Sequence, residues 1–389
     1  MAREIKSIYL NSKGNFVPVG RLAIDREASD LYFSYDENWI ETGYPLSFDL
    51  PLSDAVSTTS IAHPSFGFLV DLMPGAAARK LKLEGAKKDF NIIDLLLQST
   101  EELRVGALTF STEVKPLISA KKTPAIFSDM ERLIASDFHF QDIDLLYEAT
   151  SALPGERFKA SFLNSNNLNV ISKFNQPDLH RNLVVFEHAV LQMARALGIF
   201  AIDSRVIHFR GVYALLSERF DRDAHQNRIP FASAQALLGP ENLSEVSYIH
   251  IADIINRAGS RAKTDLPELW SRMVFSMAIG NTRDAPDNIG FLRDAYGWRL
   301  APMYGLTPVP ASFMRRPHAT GVTPESNLPD VGEAIRQAKY FNLKETEAKR
   351  RALEISQFVA ANWTRFASDA GATSEEIQNM KKAFEPLDF

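Results

Sequence analysis

Alternating apolar and polar positions dominate the first 60 residues of the chain. The stretch IYLNSKGNFVPVGRLAI at 8–24 predicts two short strands joined by a turn at 12–14. DLYFSYDENWI at 30–40 and YPLSFDLPL at 44–52 predict two further strands, because both are rich in residues that suit a pleated surface. The chain is therefore expected to begin with a small β-rich unit.

Helix and strand signals follow one another through the next part of the chain. Helical patterns are expected at 64–85, 88–103 and 129–138, with a strand at 105–111. The apolar runs KASFL and LNVISKF, separated by NSNN, predict a hairpin at 159–174. A helix with Asn182 as its N-cap and Gly198 at its end should come next, followed by strands at 202–209 and 212–220.

The last part of the chain has mainly helical patterns. DLPELWSRMVFSMAIG predicts a helix that starts at Asp265, with Glu268 in capping-box spacing. A loop at 280–288 and a hairpin at 289–302 interrupt the helices. Three more helices are predicted, starting at Asp330, near 344 and at Thr373.

Composition narrows the class of protein. A chain of 389 residues suggests two to three domains or one large two-lobed domain. The net charge of −5 argues against a broad nucleic-acid surface. The absence of cysteine excludes disulfides and thiolate metal sites. Without a signal peptide or an apolar run of about 18 residues, the chain is expected to be cytoplasmic, with no membrane span.

Some polar residues match the parts that phosphoryl transfer requires. A kinase needs a lysine at the phosphates, a helical glutamate that orients it, and acidic and Asn side chains for base and metal. Lys173 ends a predicted strand, Glu187 lies in the next predicted helix, and Asn288 follows the 280–288 loop. Each also has a plainer interpretation, since a surface lysine, a solvated glutamate and a turn asparagine are common.

A further lysine follows a turn that could bind phosphate. In PGERFK the Pro-Gly pair predicts a turn whose amides could face phosphates, with Gly155 in the turn and Lys159 after it. One glycine makes a weak phosphate loop, so an ordinary turn remains open.

Taken together, these pieces resemble the HipA family, the serine/threonine-kinase toxins of bacterial toxin–antitoxin modules. The similar segments run in the family's order: GRLAI, YPLSFDLPL, FLVDLMPGAAARKL, VGALTF, PGERFK, VISKF, NLVVFEHAVLQMARALGI, LSERFDRD, GNTRDAPDNIGFL and WRLAPMYGLTP. The resemblance implies that Gly155, Lys159, Lys173 and Glu187 belong to an ATP site. It also implies that Asn288 helps to hold Mg²⁺.

The resemblance also implies the fold. It is an α+β, HipA-like bilobal protein-kinase-like fold, with a β-rich N-terminal lobe, a small N-terminal subdomain and an all-α C-terminal lobe. The corresponding domains are 1–112 for the N-terminal subdomain, 113–228 for the rest of the N-terminal lobe, and 229–389 for the helical lobe, whose one predicted hairpin is noted above.

Two acidic positions of the family's pattern are replaced here. The family loop reads Thr-Asp-x-His-x-x-Asn, and this chain has Arg283 at the base position and Ala285 at the histidine position. The family segment Pro-x-Tyr-Asp ends here in Gly305, which removes a metal-binding carboxylate. Arginine does not accept a proton near neutral pH. Asp284, beside the base position, is a candidate for a shifted base.

Three functions remain open from the sequence. The first is a catalytically impaired pseudokinase that acts by binding a HipB-like helix-turn-helix antitoxin and reaches DNA only through it. The second is an active ATP-dependent serine/threonine kinase that uses Mg²⁺ and Asp284 and phosphorylates a component of the translation machinery. The third is different chemistry on the same scaffold, although the eight histidines show no metal-ligand spacing. Whether ATP and Mg²⁺ are cofactors depends on which function is right.

Overall fold

The chain forms two compact units. A computed structural model describes residues 3–61, 66–76, 78–80, 92–112, 149–164, 166, 168–175, 182–209, 212–239, 245–310, 317–387 and 389. The first unit comprises 1–172 and 221–241, and the second comprises 173–220 and 242–389. The helix predicted at 129–138 and parts of those predicted at 64–85 and 88–103 lie outside the described residues.

A five-stranded antiparallel sheet forms the start of the first unit. Its order is β4-β3-β2-β1-β5, with β1 Glu4–Ser12, β2 Asn15–Asp25, β3 Asp30–Tyr35, β4 Ser57–Ser60 and β5 Leu108–Ser111. The predicted first hairpin is confirmed, because Ser12 pairs with Asn15. One face of the sheet is buried in the core, since side chains alternate between faces along each strand.

Two of the strands expected in the first 60 residues differ from the prediction. The third strand ends at Tyr35, and α1 (Glu37–Thr42) follows it. The reason is Asp36, whose carboxylate accepts a hydrogen bond from the Asn38 amide as an N-cap. Asp36 therefore ends the strand and starts a helix inside a segment whose composition predicts strand.

The segment 44–52 forms no strand. Pro45 and Pro51 remove two backbone donors that a ladder would use. Tyr35 holds the segment instead, because its hydroxyl accepts from the Leu46 amide (3.0 Å) and donates to the Leu50 carbonyl (2.8 Å). The fourth strand is therefore β4 at 57–60, which the sequence pattern did not indicate.

Shorter elements complete the first unit. They are α2 Gly67–Val70, α3 Ile92–Gln98, a 3-10 turn at Glu101–Leu103, β6 Lys159–Leu163, most of β7 Asn169–Phe174, β10 Phe231–Ser233 and α5 Ala234–Leu238. The hairpin of β6 and β7 is confirmed. Asn164 closes its turn, because the Asn164 side chain accepts hydrogen bonds from the Asn166 and Leu168 amides.

The second unit is mainly helical and carries two hairpins. Its helices are α4 Leu183–Ala196, α6 Tyr248–Ala258, α7 Ala262–Ala278, α8 Val331–Arg336, α9 Glu345–Asp369 and α10 Ser374–Met380. Its hairpins are β8 Arg205–Phe209 with β9 Val212–Glu218, and β11 Gly290–Arg293 with β12 Trp298–Leu300. The long α9 packs against α4 and α7, so α4 is buried along most of its length.

Helix starts were predicted with mixed success. Asp330 and Thr373 cap α8 and α10 as expected. Asn182 precedes α4, but Asn175 supplies the side-chain acceptor for the Val184 amide. The predicted start at Asp265 is wrong, since α7 begins three residues earlier, at Ala262.

Asp265 has a different task from the predicted cap. Its carboxylate accepts a hydrogen bond from the Leu300 amide (2.8 Å) and so ties α7 to β12. Burial raises the pKa of this carboxyl above its usual value.

Candidate functional site

An ion pair joins the last part of β7, which belongs to the second unit, to α4 of the same unit. The Nζ of Lys173 lies 2.5 Å from the Oε1 of Glu187. Glu187 is 0% exposed, whereas the Lys173 side chain retains 12% exposure. A buried carboxylate is costly without a cation, so the pair is required for α4 to pack with Glu187 facing inward. The two residues predicted as lysine and orienting glutamate are thus in direct contact.

The sequence around Glu187 explains why it points into the protein. Val184, Val185, Ala189 and Val190 are all buried, so α4 has hardly any solvated face at this level. Strand β7 ends at Phe174, which places Lys173 beside the helix. The Lys173 side chain keeps a small exposed fraction there.

The Pro-Gly turn of the first unit folds back on its own lysine. The Nζ of Lys159 donates to the carbonyl of Pro154 at 2.6 Å. Gly155 has a φ of +94°, and a Cβ on it would lie 2.7 Å from Lys159 Nζ. Glycine is favoured there because of the positive φ, and the open space beside its Cα is filled by the lysine ammonium.

The same turn is held by a second glycine. The Gly75 amide donates to the Leu153 carbonyl (2.9 Å), and a Cβ on Gly75 would lie 2.3 Å from the Gly155 carbonyl oxygen. The neighbouring Ser151 is fully buried, and its hydroxyl accepts from the Thr100 amide. This hydroxyl is therefore not presented to solvent.

The LSERFDRD segment supplies a buried network to the first unit. Asp221 accepts from the Gly106 amide (2.9 Å) and from the guanidinium of Arg222 (2.9 Å). Arg222 also donates to the carbonyls of Glu102 and Arg104. The contacts with Glu102, Arg104 and Gly106 join residues more than 100 positions apart and give the segment a structural role.

The 280–288 loop of the second unit is pinned by the segment that follows β12. The Val309 amide donates to the Gly280 carbonyl (3.1 Å), and the Thr307 amide donates to the Asn281 side chain (3.1 Å). Tyr304 donates its hydroxyl to the Asp287 carbonyl at 3.1 Å. The loop and the 304–309 segment therefore form one local structure.

Asp284, the candidate for a shifted base, points into the protein. It is 3% exposed. Its Oδ2 accepts from the Tyr248 hydroxyl (2.9 Å) and lies 3.0 Å from His318 Nδ1. Its Oδ1 accepts from the Thr320 amide at 3.3 Å. Both carboxylate oxygens are thus occupied by donors from other parts of the chain.

Arg283 and Asn288 lie nearer to solvent than Asp284. Arg283 is exposed, and its carbonyl accepts from the Asn288 side-chain amide at 3.3 Å. Gly305 has a φ of +72°, and a Cβ there would lie 2.9 Å from Asn288 Oδ1. A side chain at 305 would therefore begin beside Asn288, where the resemblance expects a metal-binding acid.

The residues that the resemblance assigns to metal binding do not fit Mg²⁺. That ion is usually held by one or two carboxylates together with phosphates and water. Of the positions that the resemblance assigns to metal binding, Asn288 offers an amide oxygen and Gly305 offers no side chain, while the Asp284 carboxylate is engaged elsewhere. Within the part of the chain that the structure describes, no group of three or more His, Cys, Asp or Glu side chains could hold a metal.

The structure thus brings together two sets of predicted residues: Lys173 with Glu187, and Asn288 with position 305. Tyr248, His318 and Thr320 were not predicted as partners of Asp284. No local pattern could have revealed them, because each lies 34 to 36 positions away from it.

Comparisons with known proteins identify the family of the chain. A model of the HipA-like C-terminal domain matches residues 151–365, and a model of the HipA N-terminal domain matches residues 8–111. The chain is 23% identical over 222 residues to the serine/threonine-protein kinase toxin HipA of Shewanella oneidensis. That match spans 52% of this chain and only 48% of the relative's length. The chain is also 24% identical to the putative kinase Y4mE of Sinorhizobium fredii, over 91% of this chain and 83% of the relative.

A solved structure shares the fold. It is the complex of Shewanella oneidensis HipA with HipB and operator DNA, which matches with a TM-score of 0.71 at 17% identity, covering 97% of this chain and 94% of the solved one. The class is therefore an α+β protein with the kinase-like fold of HipA, as predicted. The two family models together show that the chain belongs to the HipA family. None of its described helices is long and apolar enough to cross a bilayer.

Proposed function

We propose that this HipA-family chain is a pseudokinase, which binds partners and does not turn over ATP efficiently. The observation that carries the proposal is the enclosure of Asp284 by Tyr248, His318 and Thr320. Asp284 would have to be released from these partners before it could act as a base for a substrate hydroxyl. General-base help is worth about 10²–10⁴-fold in rate, so its loss is severe.

Nucleotide binding is a separate matter from transfer. Lys173 is oriented by Glu187 and partly exposed, which suits contact with nucleotide phosphates. Arg283 adds a fixed positive charge on the loop. Weak, metal-independent binding of ATP is therefore part of the proposal, with Lys159 and Gly155 as further candidates from the resemblance.

The proposed partner is a HipB-like helix-turn-helix antitoxin. The support is the solved relative, which is a complex of HipA with HipB and operator DNA. The net charge of −5 makes direct binding of DNA by this chain unfavourable, so DNA would be reached through the antitoxin. A cytoplasmic location is the matching proposal.

The second candidate is an active ATP-dependent serine/threonine kinase toxin that phosphorylates a translation component. The intact pair of Lys173 and Glu187 favours it, because this pair is what a working kinase requires. In this reading Asp284 would have to leave Tyr248 and His318 and turn toward the substrate.

Incubation with labelled ATP, with and without Mg²⁺, separates the two. We expect nucleotide to raise the melting temperature slightly, with no dependence on Mg²⁺ and almost no phosphate incorporation. The triple variant Arg283→Asp, Ala285→His, Gly305→Asp should increase transfer and make binding depend on Mg²⁺. Strong incorporation by the natural chain that is lost in Asp284→Asn would refute the proposal and establish the kinase reading.

A further inference from the structure

Four buried side chains, one of them from the 280–288 loop itself, contact one another in the second unit. Tyr248, Asp284, His318 and Thr320 are each between 1% and 6% exposed. We call them the Asp284 cluster. They come from three separate segments: the first turn of α6, the loop itself and the stretch at 317–323. All belong to the second unit.

Backbone hydrogen bonds tie the same three segments together. The Tyr248 amide donates to the Gly321 carbonyl (2.8 Å), and the Gly321 amide donates to the Val246 carbonyl (2.9 Å). The Ala319 amide donates to the Thr282 carbonyl at 3.0 Å. The three segments are thus connected both by these backbone hydrogen bonds and by the side chains of the Asp284 cluster.

Asp284 is held from its main chain as well as its side chain. The Thr320 hydroxyl donates to the Asp284 carbonyl at 2.5 Å, while the Thr320 amide reaches the carboxylate. Burial and the neighbouring charge of Asp284 raise the pKa of Tyr248 well above its usual value. Tyr248 therefore remains a neutral donor to that carboxylate at ordinary pH.

We propose that Tyr248, His318 and Thr320 are positioning residues that act through Asp284 to hold the 281–288 loop in one conformation without metal or nucleotide. Asp284 is buried and the adjacent Arg283 is exposed. Because the two are consecutive, holding Asp284 in place also constrains the backbone position of Arg283. The inference rests on contacts within the loop's own surroundings. It rests on the same enclosure of Asp284 as the proposed function, but its test measures the conformation of the loop and not phosphate transfer.

Amide hydrogen exchange of the full chain tests the proposal. The reporters are the amides of Ala319 and Thr320, whose acceptors are on Thr282 and Asp284. In the ligand-free natural chain these amides should be protected, and Mg²⁺ with ATP should not change them. Tyr248→Phe should make them exchange roughly tenfold faster or more, because it removes a hydrogen bond to a buried carboxylate.

A second position and a matched control keep the test decisive. His318→Ala should have the same local effect, and His318→Asn should recover part of the protection, since its amide can take the place of Nδ1. Tyr296→Phe is the control, because Tyr296 is 90% exposed in the same unit. Amides of α9 report on global unfolding, and in every variant they should stay better protected than the reporter amides, because the reporters exchange through a local opening.

Two results would overturn the inference. One is rapid exchange of the reporter amides in the ligand-free natural chain that slows only with Mg²⁺ and ATP. The other is unchanged exchange of the reporter amides in both Tyr248→Phe and His318→Ala, which would mean that these side chains do not hold the loop.

Discussion

Glu187 and Asp284 are two buried carboxylates of the same unit, and they are satisfied in different ways. Glu187 meets the ammonium of Lys173, which remains partly exposed. Asp284 meets a phenol, an imidazole and a backbone amide, all of them buried. The first arrangement keeps a small part of the lysine side chain exposed, whereas the second directs both carboxylate oxygens into the protein.

The difference shows which parts of a kinase-like site the fold itself depends on. A buried ion pair is expensive to break from one side, so the arrangement of Lys173 and Glu187 is tied to the packing of α4. Positions 283 and 305 contribute no buried charge to the packing, since Arg283 is exposed and Gly305 has no side chain. The fold tolerates the loss of acids at those two positions.

Lys173→Met should have the largest effect. It leaves the fully buried Glu187 without its ammonium, which we expect to cost about 3–5 kcal/mol in the free energy of unfolding. Urea denaturation measures it. The control is Lys173→Met combined with Glu187→Leu, which should regain most of the loss. If the single and double variants are equally unstable, the pair is not what holds α4 in place.

Asp284→Ala should rank second. It removes the acceptor of the Tyr248 hydroxyl and of the Thr320 amide, and we expect a cost of about 2–3 kcal/mol by urea denaturation. Asp284→Asn should cost less, because it keeps the shape and one acceptor oxygen. An Ala variant as stable as the natural chain would contradict a structural role for Asp284.

Glu101 in the first unit extends the comparison to a carboxylate that is only partly buried. Burial raises the pKa of Glu101, but Arg104 and Arg228 outweigh it and hold the pKa below the usual 4.5. Because the folded-state pKa is lowered, this stabilisation is present above pH 4.5 and is lost as the pH falls through the folded-state value.

Glu101→Gln should therefore lower the free energy of unfolding by about 1–2 kcal/mol at neutral pH. The difference from the natural chain should shrink below pH 4.5. Glu102→Gln is the control, since its side chain is exposed. Urea denaturation across this pH range measures both, and a difference that does not change with pH would argue against the ion pairs.

Gly305→Ala should have the smallest effect, about 1 kcal/mol, because its φ of +72° is unfavourable for a residue with a Cβ. Gly198→Ala is the matched control, with a φ of +74° and nothing within 4 Å of the added Cβ. Any extra cost at Gly305 reports its contact with Asn288. Thermal unfolding resolves the difference, and a stabilised Gly305→Ala would show that the backbone there can adjust.

Particular elements show how far local patterns could be followed. The hairpins at β1–β2, β6–β7 and β11–β12 were readable, because alternation and turn residues act over short distances. The segment 44–52 was misjudged because its prolines outweigh its apolar composition. The start of α7 was misjudged because Asp265 was recruited by the distant Leu300 amide and is not a cap.

The order of most elements, the membership in the HipA family and the loss of acids at 283 and 305 can all be read from the amino-acid sequence, because they depend on local residue types and their order. The contact of Lys173 with Glu187 and the inward turn of Asp284 toward Tyr248 and His318 become visible only in the folded chain. The physical reason is that a buried charge is settled by whichever partners the packing brings within a few ångströms, and these partners lie up to 36 positions away.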